Sequence, residues 1–179
     1  MTGKKGWGLL AVWVAALMVG LWFYGDDKIV PFDPNFSLNR AAASDDFDHQ
    51  FVDMLKSAGI QPGSLVHIQA STPCYCNTLS NIHQQALLSL LKNDGYQWVT
   101  LNIENIPALA PWVPTFPALA VIDMKGKLRY LGPYATGIGC FTGDDLVNDI
   151  AAMAKQTQPL GAVINSEAEG CYCPTQSQP

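Results

Sequence analysis

The sequence predicts an α/β domain, a central mixed sheet of four strands flanked by helices and preceded by one N-terminal transmembrane helix. Three observations predict it. Two short runs rich in β-formers, 64–70 and 96–103, bracket a long helical pattern, and strands joined through a helix are parallel. Two further runs, 118–123 and 127–132, are joined only by the tight turn Met124-Lys125-Gly126, which makes them antiparallel. Residues 7–24 form an uncharged apolar stretch between Lys4-Lys5 and Asp26-Asp27.

That stretch is 18 residues long, at the short end of the roughly 17–25 that span a bilayer. It ends in Leu21-Trp22-Phe23-Tyr24, the composition of an interfacial aromatic belt rather than of a small-residue cleavage site. Lysines before it and acids after it put residues 1–6 in the cytoplasm as a stub and the rest across the inner membrane, in the periplasm. Residues 25–43 carry Pro31 and Pro34 without sustained periodicity and read as a tether. Ser44 reads as an N-cap, and Phe47, Phe51 and Leu55 recur at helical spacing up to Gly59.

The run 64–70 is a buried strand. From Asn77 or Thr78 to Asn93, Leu79, Ile82, Ala86, Leu87, Leu90 and Leu91 mark one helix face, stopped at Asp94-Gly95. After the strand 96–103 a proline-laden segment leads to the hairpin of 118–132. Thr142 caps a last helix whose first turn holds Asp144 and Asp145, where the helix dipole favours acids. The domain so defined runs from 44 to 157. Residues 158–179, rich in Gln, Pro, Ser and Gly, read as a flexible tail carrying Cys171 and Cys173.

Composition excludes some classes. A net charge of −5 over 179 residues argues against nucleic acid as a partner, because phosphate binding needs a basic surface. No serine–histidine–aspartate set, phosphate loop or carboxylate dyad stands out. Five cysteines remain, two pairs of them spaced Cys-x-Cys: Cys74 and Cys76, Cys171 and Cys173, with Cys140 alone. Outside the cytoplasm such thiols can be oxidised and stay so.

The order of elements, with cysteines where the first strand meets its helix, resembles the thioredoxin fold over roughly residues 60–156. "FPALAVIDMKGKL" looks like the cis-proline strand and hairpin of membrane-anchored, periplasmic thioredoxin-like proteins, and "IGCFTGDDL" is similar to the loop and helix start that border their active site. The resemblance implies that Pro117 is a cis-proline facing the cysteines and that His67 stands where thioredoxins keep a buried acid. A hydrogen-bonded core histidine is the other reading of His67. The centre departs from the family: Thr72-Pro73-Cys74-Tyr75-Cys76 replaces Cys-x-x-Cys, and a gapless alignment puts Cys76 on the second cysteine and Pro73 on the first.

A thiolate at a helix N-terminus is stabilised by free N–H groups and the dipole, so Cys74 and Cys76 are candidate reactive thiols. A Cys74–Cys76 bond would close a tight ring and be easily reduced. The resulting expectation is thiol–disulfide exchange on protein thiols or disulfides in the periplasm, with Cys74 attacking, Cys76 resolving, Cys140 or the tail pair as a second relay, Pro117 beside them and His67 moving a proton. No cofactor is expected on this reading. The alternative is a Cu(I) or Zn(II) carrier with thiolates of Cys74, Cys76, Cys140, Cys171 and Cys173, and a third is a non-catalytic scaffold whose cysteines staple tail to domain. His83, two helical turns or about 10 Å beyond Cys76, is too far to share a metal with it. His49 reads as solvent-facing, and Trp98 and Trp112 as packing.

Overall fold

Central strands buried at nearly every position, with successive side chains on opposite faces, fit a sheet that has helices on both sides. The computed structural model describes residues 3–26, 29–137, 143–156 and 161–175. In chain order the elements are α1 (Gly3–Asp26), β1 (Val30–Pro31), α2 (Ser37–Ala42), α3 (Phe47–Ser57), β2 (Ser64–Gln69), α4 (Tyr75–Leu79), α5 (Asn81–Leu91), β3 (Gln97–Asn102), β4 (Thr115–Phe116), β5 (Ala118–Ile122), β6 (Leu128–Gly132), α6 (Val147–Lys155), β7 (Val163–Ile164), β8 (Glu169–Gly170) and β9 (Cys173–Pro174).

The main sheet is five-stranded and mixed, in the order β3-β2-β5-β6-β7. β2 and β3 are parallel, β2 and β5 antiparallel, β5 and β6 antiparallel, so both expected pairings are present. The expected count of four strands is corrected to five, because β7 from the chain's last part adds parallel to β6. Two further ladders tie the C-terminal segment down, β8 to β1 near the front of the chain and β9 to β4 just before Pro117.

Side chains two apart on a strand share a face. Val66 and Ile68, with Ala118, Ala120 and Ile122, pack under α3 on Phe47, Phe51 and Leu55. Leu65, Leu119 and Val121 point the other way, against Leu87 and Leu91 of α5 and Ile150 of α6. The spacing of Phe47, Phe51 and Leu55 therefore marks the face it was expected to mark, although Ser44 offers only its carbonyl, to the Phe47 N–H. The helix expected from residue 77 onward is two helices, α4 and α5, meeting at Ser80. Asp123, at the tip of β5, accepts from the Arg129 Nε at 2.8 Å and from the N–H groups of Lys125 and Lys127, which fixes the hairpin turn.

Three sequence expectations fail here. Among the described residues no helix is long and apolar enough to cross a membrane, so the transmembrane helix expected over 7–24, and the single-pass topology built on it, are overturned. α1 does form, but the stretch Gly6–Trp22 is diluted by Gly6, Gly8, Gly20 and three tryptophans. The tether of 25–43 is not loose. Phe32 and Leu38 are fully buried, and the buried Asp33 accepts from the N–H groups of Ser37 and Asn39 at 2.8 Å each to hold the start of α2. Nor is the tail of 158–179 flexible over 161–175. It supplies β7, β8 and β9 and puts Ala168 and Tyr172 into the core.

Candidate functional site

β2 ends at Gln69 on the sheet, and the chain turns through 70–73 into the start of α4. Cys74 is the first flanking residue of that helix, with extended φ and ψ, and its carbonyl accepts from the Asn77 N–H at 3.2 Å. Cys76 lies in the first turn. Tyr75 between them is 73% exposed.

The partners arrive from the C-terminal segment. Gly137 donates its N–H to the Glu169 carbonyl at 2.7 Å and accepts from the Cys171 N–H at 2.9 Å, which threads residues 169–171 past the loop after β6. Gly170 has to be glycine there, since a Cβ would lie 2.9 Å from the Gly137 oxygen and closer still to the Tyr172 ring. The Tyr172 hydroxyl donates to the Ala135 carbonyl at 2.8 Å, and its ring meets Phe32 edge-on. β9 then pairs with β4, placing Cys173 opposite Phe116 and Pro174 opposite Thr115. The Phe116–Pro117 peptide bond is cis.

This threading makes two disulfides, Cys74–Cys173 and Cys76–Cys171, with Cα–Cα separations of 6.4 and 5.4 Å. Both lie within the usual span for a bridge. Of the pairings the sequence left open, a Cys74–Cys76 bond is absent and the two Cys-x-Cys motifs cross-pair, tail to domain, because the antiparallel approach of 171–173 offers each helix cysteine a partner of its own. The sulfurs of Cys74, Cys76 and Cys173 nevertheless all lie within 4.8 Å of one another. As long as both bonds stand, none of these sulfurs is a thiolate, the form a metal requires. Cys140 lies outside the described residues.

His67 is buried at the end of a directional chain of hydrogen bonds. Its Nε2 is 3.1 Å from the Asn77 Oδ1, which can only accept, so Nε2 carries the proton and Nδ1 accepts from the Tyr134 hydroxyl at 2.9 Å. Asn77 donates onward to Gln69, and Gln69 to Asn102. Burial pulls the His67 imidazole down to about 4, against smaller opposing hydrogen bonds from Asn77 and Gln69, so it is neutral at pH 7. Both ring nitrogens are occupied. It has the surroundings of a core histidine, stacked on Trp98 and tied to the residue after Cys76. Trp112 packs on Phe47 and Phe51, as a core tryptophan does.

A cavity of about 30 Å³ lies against the second disulfide, lined by Cys76, Leu79, His83, Pro117, Tyr134 and Cys171 among others. Pro117 is thus brought beside Cys76 and Cys171. His83, set aside in the sequence for its distance along the helix, is the residue that reasoning missed. It is buried, and its Nδ1 is 3.3 Å from the Asp145 carboxylate. Only a fold that returns residues 143–146 to the start of α5 makes that pair, and no local spacing signals it. On the open side of the disulfides, Cys74 and Tyr75 border a shallow polar cleft with Gln69, Ser71, Thr72 and Asn102.

The family model described as Domain of unknown function (DUF6436) matches residues 43–175, which takes in both Cys-x-Cys motifs, Pro117 and the whole C-terminal return. No curated protein and no solved structure matches the chain. With most of its length covered by that one model, the chain belongs to the DUF6436 family.

Proposed function

We propose that this protein carries out thiol–disulfide exchange on protein thiols in an oxidising compartment outside the cytoplasm. One observation carries the reading. An extended cysteine-bearing strand, β9, is seated on β4 next to Pro117 and bonded through Cys173 to Cys74 at a helix start, with the Cys76 sulfur within 4.8 Å. A foreign strand with a thiol presents the same chemistry to the same edge. The likeness of the strand order and of the cis-proline hairpin to thioredoxins supports the reading but not its direction.

The exchange is chemically closed. A partner thiolate attacks the Cys74 sulfur, an S–S bond forms to the partner, and the Cys74–Cys173 bond breaks with its electron pair going to Cys173. A second partner thiol attacking the mixed bond leaves the partner oxidised and Cys74 and Cys173 reduced. Disulfides at Cys74–Cys173 and Cys76–Cys171 also fit an oxidising compartment, since the cytoplasm keeps thiols reduced.

The test is equilibration of the full chain over glutathione redox ratios, read by differential alkylation and peptide mapping. Exchange predicts that at least Cys74–Cys173 titrates reversibly between about −120 and −270 mV. Bonds that persist below about −300 mV would make the cysteines staples and the protein a scaffold. Thiols that stay free and take up Zn(II) or Cu(I) would make it a metal carrier.

A further inference from the structure

His83 has more in its surroundings than packing requires. It is 5% exposed, and its Nδ1 faces the Asp145 carboxylate at 3.3 Å. A carboxylate accepts only, so Nδ1 bears the proton and Nε2 is the free position of the neutral ring. Among the described residues Nε2 is buried without a hydrogen-bond partner. An unpaired buried nitrogen costs roughly 1–3 kcal/mol, which calls for an explanation. The same ring lines the cavity shared with Cys76 and Cys171. At about 30 Å³ that cavity has room for a water beside the disulfide.

The other titratable groups around the cavity are committed. The Tyr134 hydroxyl is bonded to His67 and the Tyr172 hydroxyl to the Ala135 carbonyl, and burial pushes both phenols up, so they stay protonated. Asp145, from the segment before α6, has its Oδ1 on both His83 and the Val147 N–H. Ser80, on α5's own N-terminal side, donates to the Asn77 carbonyl. Among the described residues, that leaves His83 Nε2 as the group free to exchange a proton with the disulfide.

We propose that His83 is the proton-transfer group of the inner disulfide, Cys76–Cys171, held in orientation by Asp145. The inference rests on the exchange reading above. After a partner thiolate has bonded to Cys74 and released Cys173, the Cys173 thiolate attacks the Cys76 sulfur, which lies within 4.8 Å. A Cys173–Cys76 bond forms, Cys76–Cys171 breaks, and the electron pair goes to the Cys171 sulfur. Protonated His83 gives its Nε2 proton to that sulfur, directly or through one water, and takes one back when the bond recloses. One S–S bond is made for each one broken, so no oxidant enters this step.

The experiment uses the full chain treated with reduced glutathione from about pH 5 to pH 8, the range in which an imidazole changes charge. Samples are quenched in acid, alkylated and mapped, to give separate opening rates for the inner and the outer disulfide. In His83→Gln the ratio of inner to outer rate is expected to fall about tenfold, below the roughly hundredfold or more usual for general acid–base catalysis because a thiolate leaves readily. The pH dependence of the inner rate flattens with it. Asp145→Asn, a change at a half-exposed carboxylate, is expected to lower the ratio in the same direction and guards against a folding defect in the first variant. An unchanged ratio and unchanged pH profile in both variants overturn the role of His83 while leaving exchange intact. If neither bond opens in the unaltered chain, the exchange reading fails and this one falls with it.

Discussion

Cys173 stands directly opposite Phe116 in the β4–β9 ladder while its sulfur is bonded to Cys74, so one residue joins the proline-bearing edge to the helix start. The relationship makes the C-terminal segment part of the site as well as part of the core. Four predictions follow from this and from the groups around it.

The two disulfides should not contribute additively. They close loops spanning 99 and 95 residues, but they are nested almost on top of each other. Either bond alone closes the long loop, worth about 4.7 kcal/mol in the chain-entropy picture, while the other then closes only a ring of about six residues, worth about 2 kcal/mol. Replacing Cys76 and Cys171 together by Ala is expected to cost about 2 kcal/mol, and replacing Cys74 and Cys173 about the same. Losing all four should cost about 7 kcal/mol, well above the sum of the two. Denaturant unfolding of the three variants measures this, and additive costs would contradict it.

Stability should fall with acid through His67. Its folded value is about 4, below the ordinary 6.5. Between the two the unfolded chain binds a proton that the folded one does not, so stability rises with pH across that window. The contribution is complete above about pH 6.5 and is lost as pH falls toward 4, at most about 3 kcal/mol in all. Urea midpoints at several pH values check the slope, and His67→Gln should flatten it between those limits.

Breaking the hairpin ion pair should be costly. Arg129 and Asp123 are both buried, and the guanidinium also donates to the Gln156 carbonyl at 3.0 Å. Arg129→Met leaves the Asp123 carboxylate with backbone donors alone and is expected to cost about 3–5 kcal/mol. A loss under about 1 kcal/mol in thermal or denaturant unfolding would show that water replaces the guanidinium.

Gly143→Ala should disturb the segment that carries Asp145. The glycine has φ +91°, and a Cβ would sit 2.5 Å from the Thr136 oxygen, so the backbone must shift. Thr136 and Asp144 are hydrogen-bonded to each other across this approach, through the Thr136 N–H and through its hydroxyl. The expected loss is about 1–3 kcal/mol. If Asp145 positions His83, the variant also slows opening of Cys76–Cys171 in the glutathione assay.

The parts legible in the sequence were those written in local periodicity. Phe47, Phe51 and Leu55 announce α3, and the short turn between 123 and 127 dictates an antiparallel pair, since both signals lie within a few residues. The C-terminal return was illegible for the opposite reason. Its burial hangs on isolated side chains, Ala168 and Tyr172, set among Gly, Ser and Glu, and its strands are two residues each, too short to show a period. A bridge from tail to domain was among the sequence alternatives, but which cysteine meets which depends on that return and was hidden with it. His83 was misjudged because distance along α5 was used where the deciding neighbours, Cys171 and Asp145, come from other parts of the chain. At the N-terminus the apolar run of 7–24 and its aromatic end were read as a membrane span, yet among the described residues no helix is long and apolar enough to cross a membrane.

The late position of β9 also sets an order of events during synthesis. Cys74 and Cys76 are made 99 and 95 residues ahead of their partners. At ribosomal speeds of about 5–20 residues per second, that is roughly 5–20 seconds in which neither has its final partner. The β7 edge, the edge-on contact of Tyr172 with Phe32 and both sulfur bonds become available together, only once residues 163–173 have been made. The nascent chain therefore passes through a stage in which the first Cys-x-Cys pair is complete and the domain around it is not.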